Sequence, residues 1–337
     1  PFSCQSAEYF AYGAINELKK LPVTHLSFGC ENDNINILKK IALLQINNDD
    51  YDRFIKKELI KGVSHPKAAA NAIENFIDNS SIINYPNNVL GIEYIKNSYK
   101  LNCNWTFVPV KRIGSSHNDE RLRGQYDSAT AIRKNIINNS DNLYTVSLTD
   151  KSLELINKFY NEYNGFNNLN NYLDFIYYKI LELGIDDLND IYEISEGLNN
   201  KIYSNAYKSS NIDDYIMSIK SKRYTYSKIR RILLNILLNI KKKDINEFML
   251  TNKCGGNNPF KSNYVKVLAF NDIGRKIIKE AKNNGTYIIN KYSDYKKHNI
   301  NLNIFNITDR ATNIYYLPFN NRTINQEYYE NAIYVKI

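Results

Sequence analysis

Cysteine is scarce in this 337-residue sequence, and its four cysteines do not form recognisable pairs. They are scattered and make no CxxC motif: Cys4, Cys30, Cys103 and Cys254. This spacing argues against a structural zinc site and against a disulfide framework. The expected location is therefore a reducing compartment, the cytosol.

Long apolar runs are also missing. No stretch approaches the roughly eighteen apolar residues of a membrane-spanning helix, and no charged-then-apolar leader opens the sequence. We therefore expect a soluble protein with no membrane partner.

An initiator methionine is absent, since the sequence begins at Pro1. It enters an apolar-periodic helix directly, and that helix is predicted to end near Leu21. A parallel α/β domain normally opens with a strand, and none precedes this helix. We expect the chain to be a fragment whose amino-terminal part is missing.

Length and charge set wider limits. A chain of this length can bury a sizeable core and is expected to divide into two or three domains. The net charge of +9 and the pI near 9.0 admit a polyanionic partner such as RNA. They do not require one.

The first 140 residues alternate in the manner of βα units. Two short apolar strands are predicted at Thr24–Phe28 and Trp105–Val110. Helices are predicted at about Asn34–Gln45, Asp50–Lys61, His65–Ile77 and Asn87–Tyr99, with Pro86 in the first turn of the last. This pattern predicts an α/β domain at residues 1–140.

Helical patterns dominate from residue 141 to 250, which we predict to be a mostly α-helical domain. The predicted helices are Ser152–Tyr163, Leu169–Leu183, Glu196–Tyr207, Ile212–Ile219 and Tyr226–Ile240. The last has its apolar residues on one face. A break at Gly255–Pro259 then begins a small mixed segment at residues 251–337, with strands at Tyr264–Phe270 and Tyr287–Asn290 and a helix at Asp272–Asn283.

One stretch, Lys111–Arg133, follows the second predicted strand and leads into a helix. A loop that joins the carboxyl end of a strand to the amino end of a helix is a common anion site in α/β sheets. Ser128 or Asp127 can cap the helix, leaving the Thr130 hydroxyl and the Arg133 guanidinium to bind phosphate oxygens. On these residues alone, an ordinary capped surface helix is the simpler interpretation.

A second stretch, Lys220–Arg231, holds six basic residues and two tyrosines around a helix start at Thr225. Lysine and arginine contact nucleic-acid phosphates, and an aromatic ring can stack on an unpaired base. A solvated helix face explains the pattern equally well. Because the apolar stripe of the helix fixes its buried side, Lys228 and Arg231 must point away from it or pair with acids.

Other residues carry weaker signals. His117 is accompanied by no nucleophile and no metal-ligand spacing, so an ordinary loop histidine is the simpler interpretation. His25 lies in a predicted strand and is expected to be a core residue. Asn87 and Asn88 suit hydrogen bonds to an adenine or a ribose, but an asparagine pair beside Pro86 is also common turn chemistry.

Several blocks, taken in order, resemble the bacterial tRNA(Met) cytidine acetate ligase family, a branch of the HxGH nucleotidyltransferase superfamily. They are Pro1–Ala14, Leu26–Glu31, Pro86–Tyr94, Ser128–Arg133, Glu196–Ile202, Lys220–Thr225 and Val267–Arg275. The blocks at Glu196 and Lys220 are specific to the family, whereas Ser128–Arg133 indicates only the superfamily.

The resemblance implies an incomplete Rossmann-like nucleotidyltransferase domain that lacks its first strand. It also implies an enzyme that joins acetate to ATP, with Mg²⁺ accompanying the nucleotide. Acetyl-adenylate and pyrophosphate would form, and N4 of the wobble cytidine in elongator tRNA(Met) would then take the acetyl group.

The same resemblance assigns residues by position. ATP would be contacted by Gly29, Asn87 and Arg112, with Ile113 alongside. Phosphates would be held by Ser128, Thr130 and Arg133. The tRNA backbone would be bound by Lys220, Lys222 and Arg223. We extend this prediction to Lys228 and Arg231, which belong to the same basic segment.

The sequence departs from the family pattern in two places. The HxGH motif occurs nowhere in it, so we expect this chain to be inactive alone. The central loop also reads Ser115–Asn118 where the family has a Gly/Tyr-containing version. Two alternatives remain: an RNA-binding module without catalysis, and a nucleotidyltransferase acting on another small substrate.

Overall fold

A computed structural model describes residues 2–46, 48–77, 80–114, 122, 126–138, 147–195, 197–250 and 263–336. Among these residues, no helix is both long enough and apolar enough to cross a bilayer.

The first part of the chain is an α/β unit built on two parallel strands. Strand β1 (His25–Cys30) pairs with β2 (Thr106–Lys111), with Phe28 opposite Pro109 in the register. The helices of this unit are α1 (Ala7–Leu18), α2 (Ile35–Leu44), α3 (Asp49–Ile60), α4 (His65–Glu74), α5 (Pro86–Lys100) and α6 (Ala129–Asn138), with a 3-10 turn at Ser80–Asn84.

Helix α5 packs directly on β1. A Cβ built on Gly91 would lie 2.6 Å from Cε2 of Phe28, so any larger residue would force the buried Phe28 ring to move. Phe28, Ile92 and Ile95 are buried together in the core of the unit. Apolar burial on one side of the sheet therefore fixes where β1 ends relative to the start of α5.

The next part is helical and holds the largest buried cluster in the described residues. Its helices are α7 (Asp150–Tyr163), α8 (Leu173–Leu188), α9 (Leu198–Asn205), α10 (Ile212–Ile219), α11 (Tyr226–Leu237) and α12 (Lys242–Leu250), with a 3-10 turn at Leu169–Tyr172. The apolar stripe predicted on α11 is confirmed. Ile229, Ile232, Leu233 and Ile236 are all fully buried against α8 and its neighbours.

The last part contains two small parallel sheets. Strand β3 (Tyr264–Lys266) pairs with β5 (Tyr287–Ile289), and β4 (Ala269–Phe270) pairs with β6 (Ile333–Tyr334). Its helices are α13 (Asp272–Asn283), α14 (Tyr292–Lys297), α15 (Asn303–Tyr315) and α16 (Gln326–Tyr329). The prediction of one strand over Tyr264–Phe270 was wrong, because the two halves of that stretch pair with different strands.

Helix α1 and the residues next to it contact both of the other parts. Gln5 and Asn235 exchange amide hydrogen bonds of 2.9 and 3.4 Å. The Lys20 ammonium donates to the Tyr264 carbonyl at 3.0 Å, and the Thr286 hydroxyl donates to the Lys20 carbonyl at 2.9 Å. The division at residues 140 and 250 therefore stays a prediction, since the parts share contacts through this helix.

Most predicted elements occur within a few residues of their expected positions. Among the described α-helices and strands, five were not predicted: α12, α14, α15, α16 and β6. Helices α14 and α16 have six and four residues, too few for a helical period to show in the sequence. The break at Gly255–Pro259 lies outside the described residues.

Candidate nucleotide site and RNA-binding surface

The carboxyl ends of β1 and β2 form one open edge. Gly29 lies opposite Val110, and the Arg112 N–H donates to the Cys30 carbonyl at 2.8 Å, which extends the pairing past Lys111. Gly29 is exposed, and a Cβ built there would meet no atom within 4 Å. The residue predicted to contact ATP is thus at an accessible strand end, where α/β sheets bind ligands.

Gly114 brings the amino end of α6 back to this edge. Its φ is +96°, and a Cβ built on it would lie 2.7 Å from Cβ of Tyr126 and 2.8 Å from the Tyr126 carbonyl oxygen. Only glycine permits both the backbone conformation and this approach. Residues 112–114 and 126–128 are therefore neighbours, as the predicted strand–loop–helix anion site requires. Arg112 and Ile113 are exposed at this edge.

Ser128 caps α6. Its Oγ accepts the Ala131 N–H at 3.0 Å, while Asp127 is held by the Ser147 hydroxyl at 2.8 Å. Ser128 is 1% exposed, and its hydrogen bond stabilises the first turn of the helix.

Thr130 and Arg133 share one side of α6. They are three residues apart, and Nη2 of Arg133 lies 3.5 Å from the Thr130 hydroxyl. Arg133 is exposed and Thr130 is half-buried. A guanidinium and a hydroxyl beside a helix amino end suit an oxyanion, because the helix dipole and the cation both favour negative charge there.

Asn88 and Glu31 join the loop after β1 to the start of α5. Asn88 is fully buried, and its Oδ1 accepts the Glu31 and Asn32 N–H groups, both at 2.9 Å. In return, the Glu31 carboxylate accepts the Asn88 N–H at 3.0 Å and the Asn87 amide at 2.6 Å. Asn87 therefore lies near the end of β1, with its Nδ2 held by Glu31, and its contact with ATP stays a prediction.

The roles of Glu31 and Asn88 were missed in the sequence. One signal could have found them. Helix α5 begins at Pro86, and its N-cap residue, Tyr85, makes no side-chain hydrogen bond to the first turn. Tyrosine is not among the preferred N-cap residues. A helix that lacks a local cap needs an acceptor from elsewhere in the fold, and here Glu31 provides it.

Cys30 lies next to this edge but has no catalytic character. Burial raises the pKa of the Cys30 thiol, and the nearby carboxylates of Asp33 and Glu31 raise it further. The thiol is therefore protonated at neutral pH and is a poor nucleophile. Among the residues predicted for this site, Arg112 and Arg133 are exposed cations.

The basic segment 220–231 is mostly exposed at its amino-terminal end. Lys220, Lys222 and Arg223 are exposed. Thr225 caps α11, its Oγ1 accepting the Lys228 N–H at 3.3 Å, as predicted. The Lys228 ammonium lies 5.0 Å from the centre of the Tyr224 ring, so a cation and an aromatic face are presented together.

Arg231 is engaged differently. Its guanidinium forms two hydrogen bonds to the Glu193 carboxylate, Nη2 to Oε1 at 2.9 Å and Nε to Oε2 at 3.1 Å. We expected Arg231 to point away from the apolar stripe or to pair with an acid, and the structure shows the second of these. Its charge is therefore already neutralised, unlike that of a phosphate-binding arginine on an open surface.

His25 and His117 are the two histidines considered as individual candidates in the sequence. His25 is exposed, with Nδ1 2.9 Å from the Thr24 hydroxyl, so its expected place in the core was wrong. The strand face to which it belongs is the uncovered one. His117 and Glu196 lie outside the described residues. Within the described ranges, no group of three or more His, Cys, Asp or Glu side chains could hold a metal ion.

Comparison with known proteins decides the family. Residues 1–330 match the HIGH Nucleotidyl Transferase family model. The chain is 35% identical over 329 residues to the tRNA(Met) cytidine acetate ligase of Thermoanaerobacter sp. (strain X514), covering 96% of this chain and 79% of that protein. The chain belongs to the tRNA(Met) cytidine acetate ligase family. The predicted resemblance is confirmed.

Other members of the ligase family agree. The Clostridium novyi (strain NT) ligase is 38% identical over 292 residues, covering 83% of this chain and 69% of that protein. The crystal structure of apo Thermotoga maritima TmcAL has a TM-score of 0.87 at 27% identity, covering 99% and 82% of the two chains. The same enzyme bound with alpha-thio ATP has a TM-score of 0.87 at 26% identity, covering 100% and 82%. The predicted α/β nucleotidyltransferase fold is therefore confirmed.

Proposed function

We propose that this chain forms the nucleotide-binding and tRNA-binding parts of an enzyme. That enzyme activates acetate with ATP and acetylates N4 of the wobble cytidine of elongator tRNA(Met). Membership of the ligase family supports the reaction, and the solved relative bound with alpha-thio ATP supports the nucleotide. One observation in this structure carries the site assignment. The close approach of Gly114 to Tyr126 joins the open strand ends to the amino end of α6.

The first step needs charge and alignment more than covalent help. An acetate oxygen attacks the α-phosphorus of ATP, and the bond to the leaving pyrophosphate breaks. Arg112 and Arg133 stand at the edge where the pyrophosphate gains charge, and Thr130 offers a hydroxyl beside them. Fixed cations and donors at that position stabilise the transition state more than the ground state. Gly29 and Ile113 would border the nucleotide, and Ser128 would keep α6 in place.

Mg²⁺ is part of this proposal through ATP. The described residues offer no cluster of carboxylates or histidines that would hold the ion. Mg²⁺ is commonly held by substrate phosphates and water with few protein ligands, so the described site is compatible with an ion carried by the nucleotide.

In the second step the cytidine amine attacks the acetyl carbon, and AMP leaves. The tRNA backbone would be bound by the exposed residues Lys220, Lys222 and Arg223, with Lys228 and Tyr224 adjacent. Lysine and arginine side chains are the usual contacts to nucleic-acid phosphates. Arg231 would support this surface indirectly, through its ion pair with Glu193. We assign the reaction to the cytoplasm because tRNA modification takes place where the tRNA is used.

We also propose that catalysis requires an HxGH segment, which this sequence does not contain. The histidine imidazoles of that segment would lie beside the phosphates. They would add to the stabilisation of negative charge that Arg112 and Arg133 provide. The experiment measures acetate-dependent and tRNA(Met)-dependent pyrophosphate release from ATP. It compares the chain alone with the chain joined to a family HxGH segment.

Arg133→Gln in the joined protein should lower pyrophosphate release by about tenfold or more, since a charge-assisted contact to the leaving group is lost. Lys134→Gln is the matched control, because it removes a neighbouring positive charge on α6 that is not assigned to the site. Equal loss in both variants would count against the assignment of Arg133.

Activity of the unjoined chain would refute the need for an HxGH segment. Binding of tRNA with no ATP binding, in a folded joined protein, would favour an RNA-binding module. Pyrophosphate release with another small acid and none with acetate would favour a different nucleotidyltransferase.

A further inference from the structure

A cleft separate from the nucleotide edge lies between the start of α12 and one face of α15. Its volume is about 250 Å³. It is lined by Asn239, Lys241, Lys243 and Asp244 on one side and by Asn303, Asn306, Ile307 and Arg310 on the other.

The fold gives this cleft a fixed shape. The four lining residues of α15 are spaced at 303, 306, 307 and 310, so they share one face of the helix. Ile307 packs on Leu238, Ile240 and Ile245 in a buried apolar cluster. Asn239 lies two residues after the end of α11 and has a left-handed backbone conformation, with a φ of +48°. The apolar contact holds α15 in place, and the polar residues around it form the walls.

The walls are positively charged. Three cations, Lys241, Lys243 and Arg310, face one carboxylate, that of Asp244. Asp244 already accepts the Lys241 N–H at 2.8 Å at the start of α12. The Lys241 ammonium lies 3.8 Å from the Asp190 carboxylate, a loose contact. The cleft therefore favours an anion.

Arg310 is the least satisfied of these groups. It is half-buried, and burial lowers the pKa of its guanidinium, an effect that the charge of Asp244 opposes. Its Nε is buried and has no hydrogen-bond partner among the described residues. A buried donor without a partner costs free energy that an anionic ligand at the guanidinium can offset.

The size and chemistry of the cleft restrict its ligand. A cleft smaller than the ~300–1,000 Å³ of typical small-molecule pockets suits a single compact group. Arginine, lysine and asparagine together are the side chains that contact phosphate and sugar in nucleic-acid complexes.

The position of the cleft is also consistent with RNA. From Thr225 to Asn239 the chain follows α11, a distance of about 20 Å at the rise of an α-helix. The cleft therefore lies about one helix length from the exposed residues Lys222 and Arg223. A folded RNA is large enough to contact both places.

We propose that this cleft holds a backbone phosphate of the bound tRNA, with Arg310 and Lys243 as its ligands and the asparagines contacting the adjoining sugar. This inference rests on the proposed function, because it takes the RNA to be the substrate. It adds a second contact point to the surface formed by the basic segment.

The experiment measures binding of a fluorescent tRNA(Met) transcript to the 337-residue chain by anisotropy at several salt concentrations. Lys243→Gln should weaken binding by about three- to tenfold and reduce the slope of log K against log salt by about one. Lys242→Gln is the matched control: it is the preceding lysine, it is exposed, and it does not line the cleft. It should change binding by less than about twofold, since only a diffuse charge is lost.

Arg310→Gln should weaken binding at least as much as Lys243→Gln. Because Arg310 is half-buried, its variant is also checked for an unchanged melting temperature. If Arg310→Gln unfolds, Lys243→Gln still tests the proposal, because Lys243 is exposed and its replacement should not affect folding. Equal binding by the Lys242 and Lys243 variants would overturn the proposal. So would a loss of affinity for free AMP with tRNA binding intact, which would make the cleft a nucleotide site. If the unaltered chain did not bind tRNA, both the proposed function and the cleft assignment would be refuted. Equal binding by the Lys242 and Lys243 variants, with tRNA still bound, would refute the cleft assignment alone.

Discussion

Arg231 and Glu193 form a two-point ion pair, with nitrogen–oxygen distances of 2.9 and 3.1 Å, between α11 and the segment that precedes α9. The Glu193 side chain is only 12% exposed and that of Arg231 is 24% exposed. Glu193 has a φ of +67°, an uncommon conformation for a residue that is not glycine. The pair anchors the carboxyl-terminal end of the basic segment 220–231 to Glu193. It also makes Arg231 less accessible than the exposed residues Lys220, Lys222 and Arg223.

We expect Arg231→Gln to destabilise the protein with little effect on tRNA affinity. The Glu193 carboxylate would lose its cation in a partly buried place, which lowers the free energy of unfolding by about 2 kcal/mol. Lys222→Gln, at an exposed position, should show the opposite pattern. Urea denaturation and anisotropy titrations with tRNA(Met) measure the two effects. A large loss of affinity with unchanged stability in Arg231→Gln would show a direct RNA contact.

Asn88 and Asn87 should separate folding from nucleotide binding. Asn88→Ala removes a fully buried amide that accepts two N–H groups and donates to the Ile82 carbonyl at 2.9 Å. Leaving those groups unpaired should lower the free energy of unfolding by about 3 kcal/mol.

Asn87→Ala is the companion variant and should preserve more of the stability while weakening ATP binding. Calorimetric titration with ATP and chemical denaturation report on the two properties. Equal stability of the two variants would contradict the structural role given to Asn88.

Gly114→Ala should disturb the nucleotide site more than the rest of the fold. The added methyl group would meet Tyr126 at 2.7 Å, and the φ of +96° disfavours any residue with a side chain. Tyr126 and the amino end of α6 must then move, so ATP affinity should fall by about tenfold or more while the melting curve stays cooperative. Gly62→Ala is the control, because Gly62 also has a positive φ of +78° but no atom lies within 4 Å of its built Cβ. A similar loss of ATP affinity in both variants would show that the effect is not local.

Glu58 should contribute a pH-dependent part of the stability. Hydrogen bonds from Lys61 and Asn71, the latter at 2.8 Å, lower the pKa of its carboxyl group from 4.5. The native state therefore favours the ionised form. Its contribution is complete above about pH 4.5 and is lost as the pH falls through the lowered pKa.

Urea midpoints measured across this range should be higher for the unaltered protein than for Glu58→Gln, and the two curves should converge in acid. Asp50→Asn is the control, since Asp50 forms an exposed pair with Arg53 and should change little. Parallel curves for Glu58→Gln and the unaltered protein down to low pH would refute the assignment.

Local patterns in the sequence were enough to predict most of the helices and strands and to recognise the family. The alternation of strands and helices before residue 140 and the apolar stripe of α11 are repeated local signals, so they could be recognised without the fold. The segments near Ser128 and Lys220 were identified in the same way, because helix caps and charge clusters are written in consecutive residues. The strand over Tyr264–Phe270 was predicted as one element because its local pattern does not reveal which strand each half pairs with.

Which side chains meet could not be predicted before the packing of the elements was known. The cap that Glu31 provides for α5, the pairing of Arg231 with Glu193, and the close approach of Gly114 to Tyr126 join residues that are far apart in the sequence or separated by a long loop. Periodicity and propensity describe one segment at a time, whereas such contacts depend on how the buried faces of several segments pack together. The same packing leaves His25 on an exposed strand face and brings α15 against the start of α12 to form the basic cleft.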